Sequence, residues 1–193
     1  MFEATRKGDT KAGEYANAQD FCRIFDQDMN SLYLLALLLT GDHEKAGQSF
    51  VGGLEDAKNR STVFKEWARS WARRAIVQNA LRAINPRPAS ESAAHRSRSQ
   101  RTFDERPQIA AVLGIEPFDR FVFVLSVLEG YSSHECAILL DSTRRDVLAA
   151  RNRALEQIGR AAQVGGAEKV VSIGAHAEFD RAPDPAVCAQ VAG

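Results

Sequence analysis

The side chains with chemistry to offer lie on two stretches of this chain, and in both the chemistry is that of binding a polyanion. Between Gly130 and Arg160, Arg145, Asn152 and Arg153 lie opposite a helical stripe of Val147, Ala154, Leu155 and Ile158. Guanidinium and amide groups in front of an apolar back match phosphate oxygens and base edges in a DNA major groove. Upstream, Arg69 and Arg73 project from a segment whose other face carries Phe64, Trp67, Trp71 and Ala75. The groups that do bond chemistry are scattered. His43, His95, His134 and His176 have neither metal-ligand spacing nor a nearby nucleophile pattern. Cys22, Cys136 and Cys188 are far apart and odd in number, against a disulfide framework or a metal cage. Enzymatic activity is the weakest reading, and no cofactor or metal is implied.

The elements that position these groups can be read from caps and periodicity. Ser132 with Glu135 forms an S-x-x-E capping box and Thr143 with Asp146 a T-x-x-D variant, so two helix starts are marked close together. A first helix over Ser133 to Leu140 and a second beginning at Thr143 make a helix-turn-helix, although capped hairpins also occur in purely structural bundles. An amphipathic helix begins near Asn17, with Phe21, Ile24, Phe25 and Met29 on one side, and continues through Leu39. Thr40-Gly41-Asp42 interrupts it. A second helix runs from His43 to about Lys58, weakened by Gly47, Gly52 and Gly53. A third spans Phe64 to Ala83, where Trp67 and Trp71 at i, i+4 favour core packing over base stacking. Residues 84–107, with Pro86, Pro88, serines and arginines, read as a linker that is usually a solvated tether. A helix over Pro117 to Glu129 repeats Phe118, Phe121, Val122, Leu125 and Leu128 at core spacing. Residues 1–16 read as a loose arm and 164–193 as a disordered tail. No alternating strand pattern occurs, so the predicted fold is all-α, with two small helical domains at 17–83 and 108–163.

Composition agrees with a binding protein. The chain has 193 residues, 45% of them hydrophobic, and a net charge of zero. The segment 61–107 nevertheless carries a net charge of about +6, which suggests a polyanion partner there. The longest apolar run, Leu32 to Leu39, is far short of the roughly 20 residues of a membrane span, and no signal-peptide pattern opens the sequence. No membrane span and a cytoplasmic location are expected.

Taken in order, these parts resemble the two-domain, extracytoplasmic-function sigma factors of RNA polymerase. The resemblance rests on Leu34, Ala36, Leu37, Leu39, Thr40, Gly41 and Asp42 with Glu44 and Ala46, and on Phe64 to Arg69 with Ala72 and Arg73. In the second half it rests on Val122 to Leu125, Leu128 to Ser132 and Glu135, and together it covers roughly residues 17 to 162. It implies a subunit that docks on core RNA polymerase, recognises −35 DNA with the second domain and opens −10 DNA with the first. Core contacts then fall at Glu44, Gln48, Val51 and Gly52. DNA contacts fall at Arg60, Trp67, Arg69, Arg73 and Arg74, and at Thr143, Arg144, Arg145, Ala149, Asn152 and Arg153. An anti-sigma factor is an expected partner.

The chain departs from the family at four places. Gln48, Val51 and Gly52 stand where acidic and glutamine side chains usually meet the polymerase. Leu148, Ala149 and Ala150 replace frequent Lys, Ser and Arg, which predicts weaker −35 binding. Arg151 stands for a core leucine and must snorkel or find an acidic partner. Asp141 replaces the glycine of the turn, where Asp tolerates a left-handed backbone. Two functions therefore stay open: a divergent promoter-recognising sigma factor, or a sigma-like decoy or adaptor that has lost promoter opening. A helix-turn-helix repressor is disfavoured because nothing resembles a dimerisation helix.

Overall fold

A helix built from Leu32 to Leu39 is apolar almost all round and must be covered on every side. That demand organises the molecule in the computed structural model, which describes residues 14–59, 63–88 and 107–176, and the side chains of all of these except 107 and 164–176. Among the described residues eight α-helices follow one another: α1 (Ala18–Gln27), α2 (Met29–Thr40), α3 (His43–Lys58), α4 (Ala68–Ile84), α5 (Pro107–Leu113), α6 (Pro117–Phe123), α7 (Ser133–Leu139) and α8 (Arg144–His176). A 3-10 turn at Lys65–Trp67 leads into α4, and a π-helical turn at Val124–Leu128 extends α6. The only β-pairing among the described residues is an isolated bridge between Tyr15 and Phe64, whose rings stack at 4.7 Å. The all-α expectation holds.

α2 buries Leu32 and every residue from Leu35 to Thr40. α1, α3 and α4 of the first half and α5 and α6 of the second all pack on it. The two predicted domains therefore share one continuous core, from Phe21 and Ile76 in the first part to Phe121, Val122 and Ala154 in the second. The predicted long first helix is broken at Asp28, which caps the end of α1 and precedes α2. The break turns Met29 out of the predicted stripe, leaving it 52% exposed while Phe21 and Phe25 stay buried.

α3 has the predicted bounds, and two of its glycines serve packing. A Cβ on Gly53 would lie 2.8 Å from Ile76 Cδ1, and one on Gly52 would lie 2.6 Å from Asn79 Oδ1, so these glycines let α3 approach α4 closely. α4 ends at Asn85, which takes a left-handed φ of 46° and donates its N–H to the Leu81 carbonyl. The predicted tail is helical as far as His176, past its expected start at Val164, and the end of the predicted arm at 1–16 is tied down, with Ala16 buried and its N–H donating to Val63 O at 2.7 Å; residues 177–193, 1–13 and 89–106 lie outside the described residues.

Candidate nucleic-acid interface

The hairpin of α7 and α8 is held by the local chemistry expected of it. Ser132 N donates to Glu135 at 2.8 Å while Glu135 N donates to Ser132 Oγ at 3.2 Å, which closes the capping box of α7. These bonds from Ser132 hold the Glu135 carboxyl below the usual range. Asp141 takes the left-handed turn position with φ 47°, the conformation that favours glycine and next Asn or Asp. Asp146 N then donates to Thr143 Oγ1 at 3.1 Å, and Thr143 Oγ1 donates to the Asp146 carboxylate at 2.6 Å, opening α8. Val147, Ala150 and Ala154 are buried against the rest of the unit. Leu155, predicted for that face, is 43% exposed, because it lies on the α8 flank shared with the exposed Leu148.

On the outer side of α8, Thr143, Arg144, Arg145, Ala149 and Asn152 are all exposed. Arg145, Ala149, Asn152 and Glu156 fall at successive i, i+4, i+7, i+11 positions and so form one strip. Arg144, Arg145 and Asn152 hold no side-chain hydrogen bond or ion pair within the described residues. Arg153 behaves differently. Its Nε and Nη2 donate to the two oxygens of Asp119 at 2.8 and 2.6 Å, a forked pair that ties α8 to α6 and raises the Arg153 pKa. Arg153 is thus a brace rather than an open reading group. Arg151 is half-buried on the α7 side and has no carboxylate partner among the described residues, so of the two predicted solutions it adopts snorkelling. Its charge acts on the buried Cys136 thiol, which burial pushes up to about 11.

The face of α4 is more occupied than its sequence suggests. Arg69 is paired with Asp28 and donates to Gln27 at 3.1 Å. Arg73 Nε donates to Glu129 Oε2 at 2.8 Å, its Nη2 bonds the other Glu129 oxygen, and its Nη1 donates to Ser31 Oγ at 3.0 Å. The bond to Glu129 raises the Arg73 pKa. Arg74 is exposed, with its charge felt by Tyr131 and Glu135. Trp67, expected to be core, is 59% exposed and meets Phe64 edge to face at 5.4 Å, whereas Trp71 packs on the core as expected. Arg60 lies outside the described residues. Between α4 and the turn before α7 is an open cleft of about 310 Å³ lined by Ser70, Arg73, Glu129, Gly130, Tyr131 and Glu135.

Of the residues expected to meet polymerase, Glu44, Gln48 and Val51 share the exposed side of α3, with Gln48 donating to Glu44 at 3.4 Å. Gly52 belongs to the α3–α4 contact instead.

The residue that sequence reasoning missed is Arg120. It is 6% exposed and joins the two halves: Nε and Nη2 donate to Leu39 O, Nη2 to Thr40 O, and Nη1 to Leu113 O and Ile115 O, at 3.0–3.3 Å. It caps the C-terminal carbonyls of α2, where a positive charge also meets the helix dipole. Burial pulls its pKa down to about 10, so it stays cationic at neutral pH. The signal available was a charged Asp119-Arg120 pair inside an apolar run from Phe118 to Leu125.

Among the described residues no group of three or more His, Cys, Asp or Glu side chains could hold a metal ion, and no helix is long and apolar enough to cross a membrane. Compared with protein-family models, curated proteins and solved structures, the chain finds no significant match.

Proposed function

We propose that this chain is a divergent sigma-like subunit that binds core RNA polymerase and directs it to promoter DNA, with α8 reading duplex DNA at the −35 element and the α4 face engaging the −10 strand. The observation that carries the reading is the capped α7–α8 hairpin, with Arg144, Arg145 and Asn152 exposed and uncommitted on the outer side of its second helix. Such a strip meets phosphates through the arginines and base edges through the amide. On α4, exposed Trp67 offers a ring on which an unstacked base can rest, and Arg74 offers a phosphate contact. The exposed side of α3, with Glu44, Gln48 and Val51, is the surface offered to core polymerase.

The chain does no bond chemistry in this role; it acts in the cytoplasm, and an anti-sigma factor is its natural antagonist. The test is a pull-down of purified core polymerase with the full chain, followed by footprinting on promoters of its own genome. Core binding with an opened bubble is the expected result. Absence of core binding by the folded protein transfers the reading to the decoy or adaptor, which the commitment of Arg69, Arg73 and Arg153 to carboxylates favours.

A further inference from the structure

We infer that Glu129 is an intramolecular stand-in for a DNA phosphate, which holds Arg73 closed until nucleic acid displaces it. The inference rests on the proposed DNA-binding role and names a regulation of that same face. Arg73 presents its guanidinium fork to both oxygens of Glu129, the geometry in which arginine also takes a phosphate. The partners are 56 residues apart in the chain and lie on opposite sides of the seam between the two halves. The Glu129 side chain is 9% exposed and that of Arg73 38%, so the carboxylate is the covered partner and the guanidinium the accessible one.

The surroundings suit an exchange. The pair forms one wall of the 310 Å³ cleft, which opens to solvent beside Ser70, Tyr131 and Glu135. Glu129 follows the π-helical turn, and the next residue, Gly130, has φ 76° and leaves open the space a Cβ would take. Glu129 N donates to Val124 O and Tyr131 N to Leu125 O, so the backbone stays held and the carboxylate is released by rotation of the Glu129 side chain into the cleft it lines. Arg120 fastens α6 to the end of α2 independently, so release of Glu129 leaves the two halves attached. Arg74 lies close enough for its charge to act on Tyr131 and Glu135, and Ser31 still holds one nitrogen of Arg73 when the carboxylate leaves.

The experiment measures binding of a labelled oligothymidine single strand to the full-length protein by fluorescence anisotropy across a salt series. Wild type, Glu129→Gln, Glu129→Asp, Arg73→Gln and the double variant Arg73→Gln/Glu129→Gln are compared, each checked for a native melting transition. Freeing one phosphate-binding group steepens the log–log salt slope by about 0.7 for a single strand. Glu129→Gln therefore loses about 2.6-fold more affinity than wild type between about 50 and 200 mM salt, starting from tighter binding at the low end. Glu129→Asp, with the charge kept but the reach shortened, changes in the same direction by less. The gain vanishes in the Arg73→Gln background. Equal affinity of wild type and Glu129→Gln at about 50 mM salt overturns the gate and leaves the DNA-binding role standing. Absence of binding by every variant, Glu129→Gln included, overturns both.

Discussion

Replacement of Arg120 by methionine is expected to cost about 3 kcal/mol of folding stability. The side chain satisfies four carbonyls, two at the end of α2 and two in the α5–α6 turn. Leaving a buried carbonyl without a donor costs about 1 kcal/mol at the low end of the range, so four such groups sum to about 4 kcal/mol. Methionine fills much of the volume and removes the cost of burying a charge, which offsets about 1 kcal/mol. The remainder is a large share of the stability of an ordinary domain. Equilibrium urea unfolding followed by far-ultraviolet circular dichroism measures it. Gly41 supplies an internal control. Its φ is 67°, and a Cβ there would lie 2.7 Å from the Arg120 Cζ. Gly41→Ala therefore displaces the guanidinium in the wild type and does less harm once Arg120→Met has removed it, so the double variant is more stable than the sum of the single losses. A loss below about 1 kcal/mol for Arg120→Met, or strict additivity with Gly41→Ala, refutes the view that this arginine joins the halves.

Three further outcomes follow from the geometry. A Cβ on Gly47 would have nothing within 4 Å whereas one on Gly53 would meet Ile76, so in thermal melts Gly47→Ala gains up to about 1 kcal/mol and Gly53→Ala loses about 1 to 3. Arg145→Ala lowers the salt slope of duplex binding by about 0.9 without lowering stability. Arg153→Ala instead loses about 1 kcal/mol of stability, a figure discounted for the solvent around its half-exposed guanidinium, by stranding the largely covered Asp119; equal effects of the two on DNA binding contradict the brace. At pH 8 iodoacetamide labels exposed Cys22 in the native chain and spares Cys136, whose thiol burial raises to about 11, until denaturant is added; peptide mapping reads the difference.

The parts of this fold that announce themselves in the sequence are those decided within a few residues. The Ser132 and Thr143 caps open α7 and α8 where the side-chain spacing puts them, and α3 starts directly after the Thr40-Gly41-Asp42 interruption. The break at Asp28 was hidden because the apolar spacing runs on through Met29, and only tertiary packing turns that residue out. The fate of the basic face was hidden for a stronger reason. Arg69 finds Asp28 across 41 residues, Arg73 finds Glu129 across 56 and Arg153 finds Asp119 across 34, and no local pattern encodes such pairs. Positive charge on an outward helix face is legible in sequence; whether it is already spent on a carboxylate is a property of the assembled fold.

The central position of α2 has a consequence for how the protein is made. Its partner α6 is encoded well downstream, and Arg120 reaches the Thr40 carbonyl across 80 residues. At a synthesis rate of about 5–20 residues per second, the leucine-rich helix waits about 4–16 s on the ribosome before the α6 residues that pack on it exist. During that interval the nascent first half carries the apolar surface of α2 that α6 later covers.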